Sequence, residues 1–200
     1  MRRIEATAYH EAGHAVCNLA LERAFRYVTI APGDGDLGHC LGIAYRGGER
    51  LEMDVYDHNN KARDWVEKSV KVSLGGNVAE RMFTGRNNLV GARGDFSNAY
   101  DMLSHLCGFG ADDEINAYFD LLMIRTSNLI TNPPNWLAVE RLAAELLDKQ
   151  TVRYKVAKDL AKQAREDFFN LPIEKQQQMY ADAQQRRQSW AAKKLKKGAK

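Results

Sequence analysis

The sequence predicts a mainly α-helical (α+β) domain with a small β-hairpin near its N-terminus. Three observations support this prediction. Apolar residues recur at helical spacing along most of the chain, a short stretch near Val28 is rich in β-branched and aromatic residues, and dense turn chemistry follows that stretch. Of the 200 residues, 44% are hydrophobic and 28% are charged, with 15 glycines and 4 prolines. This composition excludes a wholly disordered, collagen-like or low-complexity protein.

The N-terminal part of the chain contains the first helix and the hairpin. Residues 5–23 are dominated by Ala, Leu, Val and Glu, and only Gly13 interrupts their helical pattern. Residues 26–31 and 38–44 are strand-like runs, and the segment PGDGD at 32–36 is typical of a turn between two strands. We therefore expect an antiparallel β-hairpin directly after the first helix.

The polar stretch 46–60 is expected to be a loop, and the remainder of the chain is expected to be helical. Apolar residues at helical spacing predict six further helices, at 61–83, 95–106, 113–129, about 136–147, 151–169 and 173–197. Pro133 and Pro134 indicate a break, as does the segment NLP at 170–172. The second break divides the prediction into a domain at 1–170 and a polar, basic C-terminal helix or tail at 171–200.

The net charge of +3 is unevenly distributed. Residues 184–200 hold seven basic and no acidic side chains, so the rest of the chain carries a net charge of −4. Such a run is more often a solvated helix end than a nucleic-acid site, and aromatic residues are sparse in it. Nucleic acid is therefore not an expected partner.

Other sequence features bear on the cellular compartment. No apolar run approaches the roughly 18–20 residues of a membrane span, and the N-terminus lacks the apolar stretch of a secretory signal. The three widely spaced cysteines form neither a disulfide framework nor a metal-binding pair. These features predict a cytoplasmic protein with reduced thiols and no membrane span.

The strongest chemical signal is the pentapeptide HEAGH at residues 10–14. Histidines four residues apart lie on one face of a helix, about 6 Å from each other, so His10 and His14 can bind one zinc ion. Glu11 can hold its carboxylate beside a zinc-bound water and act as the general base for attack on a peptide carbonyl. The alternative is two ordinary histidines in a chance match. The convincing helix around the motif favours the zinc site.

A catalytic zinc site needs a third protein ligand. Two downstream carboxylates stand out. Glu80 ends the small-residue helical segment GGNVAE, which could pack closely against Gly13, and Asp95 follows a glycine-rich turn that opens a helix. The spacing of these residues does not choose between them.

The chain closely resembles the peptidase domain of the FtsH family of zinc proteases over about residues 4–165. The segments that resemble this family occur in the family's order: TAYHEAGHAV at 7–16, VTIAPG at 28–33 with Leu37 and Gly38, SLGGNVAE at 73–80, GARGD at 91–95 with Ala99, and LAAELLDKQTV at 142–152. An ordered series of matches is far more specific than the HExxH motif alone.

This resemblance implies a role for each candidate residue. His10, His14 and Asp95 would bind one zinc ion per chain, and Glu11 would be the general base. Glu80 becomes a candidate for orienting a ligand histidine. The family's substrate-docking edge strand corresponds to about residues 38–43, with Gly38, His39 and Leu41 as candidates for binding a peptide as an added strand.

The implied activity is a zinc metalloendopeptidase that hydrolyses peptide bonds in unfolded or flexible protein segments. FtsH proteins carry a membrane anchor and an ATPase module before the peptidase, and this sequence contains no GxxxxGK[ST] phosphate-binding loop. We therefore expect a stand-alone, ATP-independent peptidase acting on protein or peptide substrates. A separate unfoldase and a homo-oligomer stay open as partners.

One departure from the family favours a different function. Arg93 and Gly94 replace the family's usual small polar pair before the aspartate. This is the one feature that favours the alternative function, a catalytically silent binding or regulatory module on a peptidase fold.

Overall fold

A computed structural model describes residues 3–32, 39–42, 60–107 and 112–198. Within them the order of elements is α1 (Arg3–Ala20), β1 (Phe25–Thr29), β2 (His39–Gly42), α2 (Asn60–Thr84), α3 (Arg93–Leu106), α4 (Asp112–Ile130), α5 (Pro133–Lys149), β3 (Thr151–Arg153), α6 (Tyr154–Phe169) and α7 (Ile173–Gly198). The mainly helical fold with a small sheet is thus confirmed. Most of the expected turn at 32–36, Gly38 and most of the expected loop at 46–60 lie outside the described residues.

The expected hairpin is present, but the sheet has a third strand. β1 pairs antiparallel with β2, placing Val28 opposite Cys40, and pairs antiparallel with β3 on its other side, placing Val28 opposite Val152. The strand order is β2-β1-β3, so β2 lies at an edge. Among the described strands, only β1 pairs with β2.

The expectation that residues 151–169 are all helical is wrong at its start. Residues 151–153 form β3, and helix α6 begins at Tyr154. The β-branched Thr151 bonds side chain to side chain with Thr29, at 2.7 Å between their Oγ1 atoms. Gln150, with a φ of 59°, ends α5 and redirects the chain into the sheet. The apolar pattern at 151–153 is helical, but hydrogen bonding to β1 makes these residues a strand.

The proline pair at 133–134 also differs in part from its expected role as a break. It occupies the first turn of α5. Proline is well tolerated there because the first backbone N–H groups of a helix have no partner within the helix.

Helix α1 is the central element of the larger core. It packs against α2 and α5, and a continuous run of its residues, from His10 to Asn18, is buried. A second buried cluster lies between α2, α3 and α4 and includes Val70, Leu74 and Leu103. The helix that would carry the metal ligands is therefore held on several sides by packed side chains.

Helices α1 and α2 approach each other closely where both lack a side chain. A Cβ atom at Gly13 would lie 2.4 Å from the carbonyl oxygen of Gly75, and one at Gly75 would lie 2.9 Å from the carbonyl oxygen of Gly13. This contact confirms the close packing expected for the small-residue segment at 75–80. It brings the backbone of α2 next to the HEAGH motif.

The C-terminal helix α7 returns to the body of the protein. The Arg81 guanidinium lies over the Trp190 ring, 4.5 Å from its centroid, and Arg187 donates a 2.9 Å hydrogen bond to the Thr131 hydroxyl. None of the helices in the described residues combines the length and apolarity needed to cross a membrane.

Candidate metal centre

The HEAGH motif lies in the middle of α1, where helical spacing brings its side chains together. His10, Glu11 and His14 are all buried, and the two imidazole centroids are 4.7 Å apart. The cleft that these three side chains line has a volume of about 870 Å³. Two imidazoles and a carboxylate thus face one cleft.

Asp95, in the first turn of α3, lies beside both histidines. Its Oδ2 atom lies 3.0 Å from His10 Nε2 and 3.4 Å from His14 Nε2. Tetrahedral ligands about 2.0 Å from zinc are separated from one another by about 3.3 Å. These two separations are close to that value, and the ligand atoms of all three residues lie within 4.8 Å of one another, so His10, His14 and Asp95 could hold one metal ion.

Glu80 has a different position. Its Oε2 atom lies 3.0 Å from Nδ1 of His10, on the opposite side of the ring from Asp95. Glu80 is thus placed to hold the His10 ring rather than to share an ion with Nε2.

The outer hydrogen bonds of both histidines set their tautomers. His14 Nδ1 lies 2.7 Å from the carbonyl oxygen of Val72, which can only accept a hydrogen bond. The Nδ1 atom of each ring therefore carries the proton that it donates, to Val72 in one case and to the Glu80 carboxylate in the other. When either ring is neutral, this arrangement leaves the lone pair of its Nε2 atom for a metal, as is usual for metal-binding histidines.

Gly76 provides the space in front of the two imidazoles. A Cβ atom at this position would lie 2.4 Å from His14 Nε2 and 2.6 Å from His10 Nε2. Any side chain on this residue would therefore collide with the two nitrogen atoms that face Asp95. The second glycine of the GG pair has a role in the site, whereas the first allows the helices to pack.

The imidazoles and carboxylates of the site shift one another's pKa values. Burial of His10 opposes its protonation, but hydrogen bonds to Asp95 and Glu80 outweigh burial and raise its pKa to about 10. Burial would raise the pKa of Asp95, yet its contacts with the two histidines hold that pKa well below its usual value. The two carboxylates therefore favour a positive charge beside them, which either a protonated imidazole or a bound cation can supply.

Asn88 belongs to the same network, although it was not among the residues predicted for the site. Its Nδ2 donates a 2.8 Å hydrogen bond to Glu80 Oε1, and its Oδ1 accepts one of 2.9 Å from the backbone N–H of Gly91. Asn88 thus connects the carboxylate that holds His10 with the loop that leads into α3 and Asp95. No local motif marks this residue, because its partners come together only in the fold.

The predicted substrate strand lies near one end of the cleft. Cys40 of β2 lines the cleft together with Val72 and Ser73. His39 and Leu41 lie in β2, at the edge of the sheet, and Gly38 lies outside the described residues. The structure thus provides an edge strand at the cleft, and peptide binding there stays a prediction.

The Arg93–Gly94 departure leaves Asp95 in contact with both histidines. Arg93 is exposed at the start of α3, and a Cβ atom at Gly94 would meet nothing within 4 Å. The local backbone is therefore not crowded by the replaced pair.

Comparison with known proteins agrees with this geometry. The model of peptidase family M41 matches residues 1–120. The chain belongs to peptidase family M41. The M41 match includes every residue of the candidate centre, from His10 to Asp95.

Three M41 relatives illustrate the extent of the similarity, and each is called ATP-dependent zinc metalloprotease FtsH. The Rickettsia prowazekii protein is 31% identical over 169 residues, which cover 77% of this chain and 24% of the relative. The Magnetococcus marinus protein is 31% identical over 115 residues, or 56% of this chain and 15% of the relative. The Rickettsia felis protein is 38% identical over 96 residues, or 46% of this chain and 14% of the relative. The chain thus spans about a quarter or less of the length of these relatives, and the expected similarity to FtsH is confirmed.

Proposed function

We propose that this chain is a zinc-dependent endopeptidase that hydrolyses peptide bonds in unfolded or flexible protein segments. The observation that carries the proposal is the convergence of His10 Nε2, His14 Nε2 and Asp95 Oδ2, with separations of 3.0 and 3.4 Å from the Asp95 oxygen. These three residues would hold the ion. The family and the names of the relatives support zinc as this ion.

Zinc, when bound, supplies Lewis acidity and lowers the pKa of a water molecule toward about 7. The remaining chemistry belongs to side chains of this chain. Glu11 is next to a ligand on the same helix, and its carboxylate accepts the proton of the attacking water. It then delivers that proton to the leaving amine nitrogen, so that it is regenerated as a carboxylate.

Glu80 and Val72 act as positioning groups in this proposal. They hold the Nδ1 atoms of His10 and His14, at 3.0 and 2.7 Å respectively, and keep both rings turned toward Asp95. Fixing the rings before the ion arrives reduces the entropy lost on metal binding.

The substrate is proposed to bind as an additional strand along β2. Backbone hydrogen bonds of an edge strand recognise any extended peptide irrespective of its side chains. This mode suits unfolded segments, because most backbone groups of a folded protein are already paired within it. We propose that such segments are cut without ATP by this chain, whereas stably folded substrates need an unfoldase. A homo-oligomer and a reducing, cytoplasmic compartment are further parts of the proposal.

The decisive experiment combines metal content with cleavage. Protein purified without chelators is expected to contain one zinc ion per chain and to cleave an unstructured casein or a quenched fluorescent peptide. The Glu11→Gln variant is expected to keep the zinc and to lose turnover by about 100-fold or more, since general-base assistance contributes about 10²–10⁴. Undiminished cleavage by this variant would refute the mechanism. A zinc-loaded parent that cleaves nothing would favour the silent binding module.

A further inference from the structure

A second cavity adjoins the metal centre at the end away from β2. It has a volume of about 600 Å³ and shares Arg3, Ala6, Glu80 and Asn88 with the main cleft. Thr84, Arg86 and Asn87 complete its lining. The two cavities are therefore neighbouring parts of one groove.

The charge of the second cavity is positive. Arg3 and Arg86 are exposed, and neither guanidinium forms an ion pair with another of the described residues. Glu80 is the one carboxylate among the residues that line this cavity, and its two oxygens already bind His10 Nδ1 and Asn88 Nδ2. Within the described residues, neither arginine is paired with a carboxylate, and the amide of Asn87 adds a polar lining.

The position of Arg3 on α1 shows how far the second cavity lies from the metal centre. Arg3 precedes His10 by seven residues on α1, which places both on one face of the helix, about 10 Å apart along its axis. An extended peptide advances by about 3.3 Å per residue. The part of a substrate that continues from β2 past the metal centre and along α1 would therefore reach Arg3 about three residues from the cleaved bond. Arg86 lines the same cavity.

We propose that this cavity is a subsite for a carboxylate of the peptide substrate, which rests on the proposed peptidase function. The carboxylate belongs either to an Asp or Glu side chain about three residues from the cleaved bond or to the C-terminus of a short peptide. Arginine is suited to this role because its planar guanidinium binds a carboxylate in a bidentate manner and stays charged at all physiological pH values.

The test compares matched quenched peptides that carry Glu or Gln at each of three positions on either side of the cleaved bond. The parent protein is expected to prefer Glu by about five-fold in kcat/KM at one position, which is the order expected for two solvent-accessible ion pairs. The preference is expected to fall at high salt. In the Arg3→Gln/Arg86→Gln double variant the Glu-to-Gln ratio is expected to fall to about one.

Arg165→Gln is the matched control. It removes the same kind of charge from α6, which contributes no residue to either cavity, so its Glu-to-Gln ratio is expected to equal that of the parent. Peptides ending in a free acid or an amide at the same position distinguish a terminal from a side-chain carboxylate. A ratio near one in the parent, or an unchanged ratio in the double variant, would overturn the subsite.

A binding measurement separates this proposal from the peptidase proposal. Fluorescence anisotropy with the Glu11→Gln protein reports the affinity for the Glu and Gln peptides without any turnover. A charge preference in binding that the two arginine substitutions abolish supports the subsite even if no peptide is cleaved. Cleavage without any charge preference in binding leaves the peptidase intact and refutes the subsite.

Discussion

Substitution of Gly76 by alanine tests whether the space between α2 and the two histidines serves metal binding. The new Cβ atom would lie 2.4 Å from His14 Nε2 and 2.6 Å from His10 Nε2. An ordinary carbon–nitrogen contact is about 3.5 Å, so both nitrogens would have to move by roughly 1 Å. These atoms are the ends of side chains, and rotation of the rings can relieve the overlap.

We expect this rotation to lower zinc affinity much more than the free energy of unfolding. Turning the rings breaks the hydrogen bonds of Nδ1 to Glu80 and Val72, each of which contributes about 1 kcal/mol. Alanine in place of glycine in a helix interior stabilises the helix by about 1 kcal/mol, which offsets part of this loss. We therefore expect the stability of the metal-free variant to lie within about 1–2 kcal/mol of the parent, while its zinc affinity falls by about 100-fold or more.

Zinc affinity is measured by competition with a chromogenic chelator, and stability by thermal denaturation of the metal-free protein. Gly94→Ala is the control, because its Cβ atom would meet nothing within 4 Å, and it is expected to bind zinc like the parent. Parental zinc affinity in Gly76→Ala would refute the interpretation of this site. A large loss of stability in the metal-free form would show instead that the clash is borne by the backbone.

Four further substitutions test separate parts of the site, and each is checked by the same two measurements. Asp95→Ala is expected to abolish measurable zinc binding, whereas Glu80→Ala is expected to lower zinc affinity by only about 10–100-fold, and the opposite order would reverse the ligand assignment. Asn88→Ala releases both Glu80 and the loop before α3, so a loss of zinc affinity of about 10-fold is expected, and parental affinity would remove Asn88 from the network. Gly13→Ala forces a Cβ atom to within 2.4 Å of a backbone oxygen. It is expected to destabilise the fold by about 1–3 kcal/mol or more, and an unchanged melting temperature would contradict the close helix contact.

Much of the metal centre could be predicted because its first half is local. His10, Glu11 and His14 lie within five residues of one helix, and helical geometry alone places both imidazoles on one side. The helical pattern of the flanking residues was also readable, so the element carrying the motif was predictable. The hairpin followed from β-branched residues around a turn for the same local reason.

The third ligand lay beyond such reasoning. Asp95 and Glu80 are both carboxylates in glycine-rich surroundings, and the family resemblance ranked Asp95 first. The structure places Asp95 beside the Nε2 atoms and Glu80 behind the His10 ring. That difference arises from how α2 and α3 pack against α1, a long-range arrangement that no spacing in the chain encodes.

The mainly helical class, the HEAGH helix and the hairpin could be predicted from local sequence, because they depend on contacts between near neighbours in the chain. Tertiary structure alone decided that Thr151–Arg153 leaves the helical pattern to join β1, that Gly76 clears space for two imidazoles, and that Asn88 holds Glu80. Each of these depends on atoms from distant segments meeting within a few ångströms. Such meetings are set by the packing of whole elements, and a residue's chain neighbours do not reveal them.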